Sequence, residues 1–290
     1  MNQSNQPLVS VVIACYNHEF FVQDSIQSVI DQTYQNIELI IIDDGSKDGS
    51  VKKIQEMIPN CQQRFIRFEF RHRLNKGLSA TLNEALEWCQ GEYYSALASD
   101  DMMLPGKTKL QVDFLDANKN ISAVFGGIKL IDNNNIIIGE RVRQSKQYSF
   151  KDIILHQHDL PALTQMIRLS ELKNVGGYDP NILIEDWYIW LRLSSYSDLY
   201  YMDYLLCLYR QHATNISKNL EKMHNGRFDV LNCFKDSIYY EQAYKKIKWI
   251  NSVESVLIKE HSKIIKMIKI FIVDPIYSIK LFVNKVKGKQ

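Results

Sequence analysis

The chain has 290 residues, 46% of them hydrophobic and 23% charged, enough for a sizeable core in one large α/β domain with an appendage or in two small domains. Its formal net charge of +2 excludes a general nucleic-acid-binding surface, and no nucleic-acid partner is expected. That average hides an asymmetry: residues 256–290 hold eight lysines against Glu260 and Asp274, a net +6, which leaves −4 on the first 255.

Residues 8–14 (LVSVVIA) read as a buried strand, followed by a polar turn and a helix over about 20–32. The run at 37–43 (IELIIID) is too densely apolar to keep one face in water, which is the habit of parallel sheets covered on both sides. A helix to about residue 57 follows, then a strand at 64–70 with period-two alternation. A helix at 78–89 puts Leu78, Leu82, Ala85, Leu86 and Cys89 on one face, and residues 93–98 form the next strand. Strands alternating with helices predict right-handed βαβ units in an open, mostly parallel sheet flanked by helices.

The pattern changes after about residue 121. Residues 128–142 read as a hairpin turning at 132–135, 186–193 as a helix and 205–210 as a short strand. From about 217 onward the chain reads as helices only. The expected plan is a nucleotide-binding half over about 1–120, an acceptor half over 121–216, and a helical C-terminal extension over 217–290.

Five scattered cysteines fit neither a disulfide framework nor a C-x-x-C metal site, which favours a reducing compartment. The opening MNQSNQP lacks the pattern of a secretory signal, and no stretch of about 18 uncharged apolar residues exists to span a membrane. The expected location is cytoplasmic, with a peripheral position on the inner membrane face open to it. Leu257, Ile264, Ile265, Ile268 and Ile272 recur at helical spacing, while Lys259, Lys263, Lys266 and Lys269 fall largely elsewhere on the wheel. Such a basic amphipathic helix suits an anionic membrane surface, and it equally suits packing on protein.

In open α/β sheets ligands bind beyond the carboxyl ends of the strands. The residues to inspect there are Tyr16, Asn17 and His18, then Asp43, Asp44 and Ser46, then Ser99, Asp100 and Asp101. Acidic groups ending successive strands converge on one crevice. Adjacent carboxylates such as Asp100 and Asp101 repel unless they are solvated, used as caps or neutralised by a cation. Oxygen ligation there suits Mg²⁺ or Mn²⁺ on a substrate phosphate. The competing role for each acidic pair, including Glu185–Asp186, is turn or helix-cap chemistry. Trp187 and Trp190 offer an aromatic platform for a sugar, or core. Arg210 and His212 suit a diphosphate and its metal.

Taken in order, VSVVIACYNHEFFVQDSIQSVIDQTYQNIELIIIDDGSKDGS, NKGLSATLNEALEWCQGEYYSALASDDMMLP, NVGGYDPNILIEDWYIWLRL and YRQHATNIS resemble glycosyltransferase family 2, over about residues 9–217. The resemblance implies the GT-A fold and an inverting, metal-dependent transfer from a nucleotide sugar, such as a UDP-sugar, to a glycan hydroxyl. It further implies a lipid-linked acceptor in bacterial surface polysaccharide synthesis.

It implies roles by position. Ala14 and Tyr16 line the base, Asp44 reads the pyrimidine edge and Lys76 lies near the nucleotide. Asp100 holds Mn²⁺ or Mg²⁺ with His212 close by, and Asp186 is the catalytic base. Asp101, Glu185 and Trp187 face acceptor or sugar. Ala98 stands where the family's D-x-D motif has its first acid, so ribose contact falls to Ser99 or the backbone.

A sugar-nucleotide pyrophosphorylase would need a Gly-rich loop after the first strand, and ACYNHEF has no glycine. A dehydrogenase is disfavoured for the same reason, since no G-x-G-x-x-G follows a strand. A non-catalytic carbohydrate-binding protein has no need of Asp100, Asp186 and His212 together.

Overall fold

The computed structural model describes residues 6–212 and 219–259. They form two compact units, one comprising residues 6–153 with 158–212, the other 154–157 with 219–259.

In the first unit, four parallel strands make one side of a ten-stranded sheet. They are β1 (Val9–Cys15), β2 (Ile37–Asp43), β3 (Arg67–His72) and β4 (Tyr93–Ala98), ordered β3-β2-β1-β4. All seven residues of β2 are buried, as its unbroken apolar run requires. Register decides where the loops emerge: Ala14 lies opposite both Ile42 and Ala98. The chain therefore leaves β1, β2 and β4 at the same level of the same edge.

Helix α1 (Val22–Ile30) buries Val22, Ile26 and Val29, a stripe at helical spacing. Each such side chain contributes about 1.5–3 kcal/mol by leaving water. Helix α2 (Ser50–Arg64) packs against α1, and α3 (Leu78–Trp88) packs against β1 and β2. Helix α2 outruns its expected end near residue 57 and runs on through Pro59. Proline removes one helical hydrogen bond. Arg64 offsets the loss by donating to the carbonyls of Ile30, Gln32 and Tyr34 at 2.7–2.9 Å, which fastens the helix end to the loop before β2. The strand expected at 64–70 accordingly begins at Arg67.

Beyond β4 the sheet is mixed. Short β9 (Met166–Arg168) runs antiparallel to both β4 and β6 (Ile121–Ile131), and β6 pairs in parallel with β10 (Asp198–Arg210). Two-residue β5 (Met102–Met103) closes the far edge against β10, with Met103 opposite Cys207. Helix α4 (Lys107–Ala117) lies against β6. The expected hairpin is β6 and β7 (Ile137–Arg141), turning where Asn135 adopts φ 64° and Asp132 Oδ1 accepts from Asn134 N and Ile136 N. Strand β10 is 13 residues long rather than the six expected. A register shift after Tyr201 exposes Asp203 and Tyr204 and breaks the alternation that reveals a strand in sequence. Three-residue β8 (Lys146–Tyr148) pairs on its outer side.

After the short α5 (Phe150–Ile154) and α6 (Leu169–Asn174) comes α7 (Glu185–Ser194). In the second unit, α8 (Leu220–Asn232) and α9 (Tyr240–Lys259) are joined by Arg227, which donates to both carboxylate oxygens of Glu254 at 2.7 and 2.9 Å. Among the described residues no helix is long and apolar enough to cross a membrane. The tail from Glu260 on, with most of its apolar stripe and lysines, and the loop 213–218 lie outside the described residues. All five cysteines are free thiols, four of them buried.

Candidate active site

The two acids ending β2 divide their work. Asp43 is fully buried, and its Oδ1 accepts from Gly45 N, Ser46 N and His72 Nδ1 at 2.9–3.1 Å. That is the turn chemistry expected of Asp-Gly-Ser. Asp44 instead receives the Asn-Lys-Gly turn, accepting from Lys76 N at 2.8 Å and Gly77 N at 2.9 Å, and it is ion-paired with Arg73. Gly45 makes this approach possible: its φ is +78°, and a Cβ there would sit 2.6 Å from Asn75 N. The Lys76 side chain is exposed, so its backbone touches Asp44 while its ammonium stands in solvent. Tyr16 is 45% exposed beside the partly exposed Ala14, leaving an aromatic face open at this edge.

Arg73 is a residue that sequence reasoning missed. It also holds Glu84 Oε2 at 2.8 Å and Thr81 Oγ1 at 2.9 Å, tying Asp44 to α3. Helix α3 in turn grips the segment before α7: Asn83 donates to Tyr178 O at 2.6 Å and accepts from Tyr178 N at 2.8 Å. Gly177 allows that clasp, since with φ +68° a Cβ there would meet Asn83 Oδ1 at 2.7 Å.

After β4, the second cluster forms around Asp100. His212 Nε2 lies 2.7 Å from Asp100 Oδ2, and His18 Nε2 lies 4.0 Å from the same oxygen. Each of the three residues offers a ligand atom within 4.8 Å of the others. Ser99 is fully buried and its hydroxyl meets His18 Nδ1 at 2.7 Å, so it faces His18 where ribose contact was expected. Burial holds the His18 imidazole below its usual pKa, with His212 adding to the effect and Asp100 opposing it. A carboxylate oxygen with neutral imidazole nitrogens is a donor set that a divalent first-row ion accepts.

Arg210 fixes this loop. It is fully buried, its Nε donates to Asp100 O at 2.8 Å and its N to Asp101 Oδ1 at 2.9 Å. Its other nitrogens reach Asp132 O and Asp24 Oδ2, and its guanidinium lies over the Phe21 ring. The guanidinium expected to meet a diphosphate is thus committed to protein. Asp101 is only 2% exposed; burial, and then the adjacent Asp100, hold its carboxyl well above the usual carboxylate range. Its expected sugar contact has no open face. Helix α4 starts at Lys107 with Gly106 as N-cap and no side-chain cap, so neither acid caps it.

Glu185 and Asp186 are the first two residues of α7, after an N-cap, Ile184, with no side-chain bond. Asp186 Oδ1 accepts from Trp187 N at 2.6 Å. Burial, and then the Asp186 charge, push Glu185 up to about 8, and burial raises Asp186 too. Neither tryptophan forms a platform. Trp187 and Trp190 are 2% and 3% exposed, with indole nitrogens donating to Ile153 O and Gln165 Oε1.

Residues 10–170 match the model of the family described as glycosyl transferase family 2. An Escherichia coli protein, UDP-Glc:alpha-D-GlcNAc-diphosphoundecaprenol beta-1,3-glucosyltransferase WfgD, is 30% identical over 243 residues, covering 82% of this chain and 92% of that protein. An uncharacterized glycosyltransferase of Rickettsia bellii is 26% identical over 78% of this chain, which spans only 33% of that longer protein. Among solved structures, the mannosyltransferase PcManGT from Pyrobaculum calidifontis in complex with GDP-Man and Mn²⁺ superposes with a TM-score of 0.66. It covers 99% of this chain and 89% of that one at 12% identity, a likeness of fold alone.

Proposed function

The chain belongs to glycosyl transferase family 2 and is a glycosyltransferase. From that premise we propose that it transfers a sugar from a UDP-sugar to a hydroxyl of a lipid-linked glycan, with inversion at the anomeric carbon. The supporting observation is the buried Asp100–His212 pair at the edge where three parallel strands end. Support for donor and acceptor comes from the name of the E. coli relative, a UDP-glucose-dependent enzyme acting on a diphosphoundecaprenol-linked sugar.

In this reading Tyr16 stacks on the base, and Ala14 and Asp44 meet its edge, Asp44 being held in place by Arg73 and the turn at Lys76–Gly77. Asp100 and His212 would hold the divalent ion, Mn²⁺ or Mg²⁺, which when bound offsets the charge developing on the leaving diphosphate. Arg210 keeps the Asp100 loop in register. Asp186 accepts the proton of the attacking hydroxyl. Glu185 beside it, pushed up by burial and then by the Asp186 charge, disfavours a second charge on the pair. Acceptor and donor are oriented for in-line attack, and that positioning supplies much of the acceleration. The basic tail would keep the enzyme beside an anionic membrane, each lysine near the surface contributing about 1 kcal/mol.

Incubation with a UDP-sugar and a lipid-diphosphate-linked monosaccharide, followed by NMR of the disaccharide, tests this proposal. The product should carry a β linkage if the donor is an α-linked UDP-hexose. An α linkage from that donor contradicts the inverting step.

A further inference from the structure

His18 leaves the β1 edge on a loop whose shape does not depend on its ring. Asn17 holds the left-handed conformation at φ 56°, its N donates to Ser46 Oγ and its Oδ1 accepts from Lys47 N, both at 2.8 Å. The His18 backbone N donates to Ser50 Oγ at 2.9 Å. With the backbone fixed this way, the imidazole is turned inward to Asp100 and His212 rather than outward to water.

One ring nitrogen has a partner and the other faces the cluster. Ser99 Oγ meets Nδ1 at 2.7 Å, while Nε2 stands 4.0 Å from Asp100 Oδ2, which is itself 2.7 Å from His212 Nε2. When the Ser99 hydroxyl accepts from Nδ1–H, the tautomer is fixed and Nε2 presents its lone pair, the arrangement in which an outer hydrogen bond orients a metal-ligating histidine. Two ligands of one octahedral ion, each about 2.1 Å from it, stand about 3 Å apart when adjacent and about 4.2 Å apart when opposite. The spacings around Asp100 Oδ2 fall close to that range.

We propose that His18 is a third protein ligand of the divalent ion, oriented by Ser99, and that it makes the site select Mn²⁺ over Mg²⁺. The inference rests on the reading that Asp100 and His212 hold a metal, and deepens it. Two imidazoles and one carboxylate favour a first-row transition ion, whereas Mg²⁺ prefers oxygen donors and retained water.

Calorimetric titration of the full chain with Mn²⁺ and with Mg²⁺, with and without UDP, tests it on the parent, His18→Asn, Ser99→Ala and Asp100→Ala, with melting curves for each. His18→Asn should weaken Mn²⁺ binding by about 10-fold or more and Mg²⁺ binding far less, without lowering the melting temperature. Ser99→Ala should move Mn²⁺ affinity in the same direction by a smaller factor. If Asp100→Ala abolishes Mn²⁺ binding while His18→Asn keeps the parent's Mn²⁺ affinity and Mn²⁺-to-Mg²⁺ ratio, the assignment of His18 is overturned and the metal at Asp100 stands. A fall in melting temperature with Mn²⁺ affinity intact makes His18 structural and overturns it equally. A parent that binds no Mn²⁺, even with UDP, overturns the metal reading and this inference together.

Discussion

Asp186→Asn should lower turnover by roughly 10²–10⁴-fold while leaving nucleotide-sugar binding intact, because the amide keeps the shape of the carboxylate and cannot take a proton. A purely structural acid predicts otherwise. Asp186 is the second residue of α7 and accepts from Trp187 N, a bond an amide oxygen makes almost as well. Near-normal turnover in the amide variant would therefore assign Asp186 to the helix start.

The pair's environment adds a pH signature. Burial raises both carboxyls, Glu185 to about 8 with the Asp186 charge adding to it, so the ionised base is lost at a higher pH than an exposed carboxylate loses it. Stability moves the opposite way. The folded chain retains protons that the unfolded chain releases above about pH 4–5, so the stabilising contribution is full below that range and is lost as pH rises through the raised values. The acid limb of turnover in the parent should lie above the range of an exposed carboxylate, and the melting temperature should decline as pH rises toward 8. An acid limb at the pH of an exposed carboxylate would contradict the raised carboxyls.

Asp100→Ala should abolish metal-dependent nucleotide binding without unfolding the chain. The carboxylate is the shared oxygen of the His18, Asp100 and His212 cluster, so its loss removes that cluster's one carboxylate. The loop itself hangs on other bonds: Arg210 Nε to the Asp100 carbonyl and Arg210 N to the Asp101 carboxylate. Calorimetry with UDP in Mn²⁺ and in EDTA is the check. Equal UDP affinity in the two buffers for the parent, or an Asp100→Ala variant that still responds to Mn²⁺, contradicts the assignment.

Much of the nucleotide side was legible because parallel strands announce themselves. The runs at β1, β2 and β4 are buried on both faces, and polar residues mark their ends, so the edge bearing Tyr16, Asp44 and Asp100 follows from the sequence with little ambiguity. Strand direction is not written in such runs, which is why short, antiparallel β9 between β4 and β6 was not foreseen. Burial also reassigns chemistry that residue type alone suggests. Arg210 reads as a phosphate ligand yet spends its donors on protein, and Asp101 and Trp187 read as sugar contacts yet are buried. Arg73 and Ser99 went unassigned or misassigned because their roles depend on partners 29 and 81 positions away. Only the family resemblance separated Asp186 from Glu185; the geometry of α7 explains why both acids are perturbed.

Nucleotide release measured against a panel of nucleotide sugars, each with Mn²⁺ and with EDTA, tests the central claim most directly. Metal-dependent transfer from a UDP-sugar predicts release of UDP from at least one UDP-sugar in Mn²⁺, and release near background in EDTA. Release that proceeds equally in EDTA, or that occurs only from GDP- or other non-UDP sugars, contradicts it.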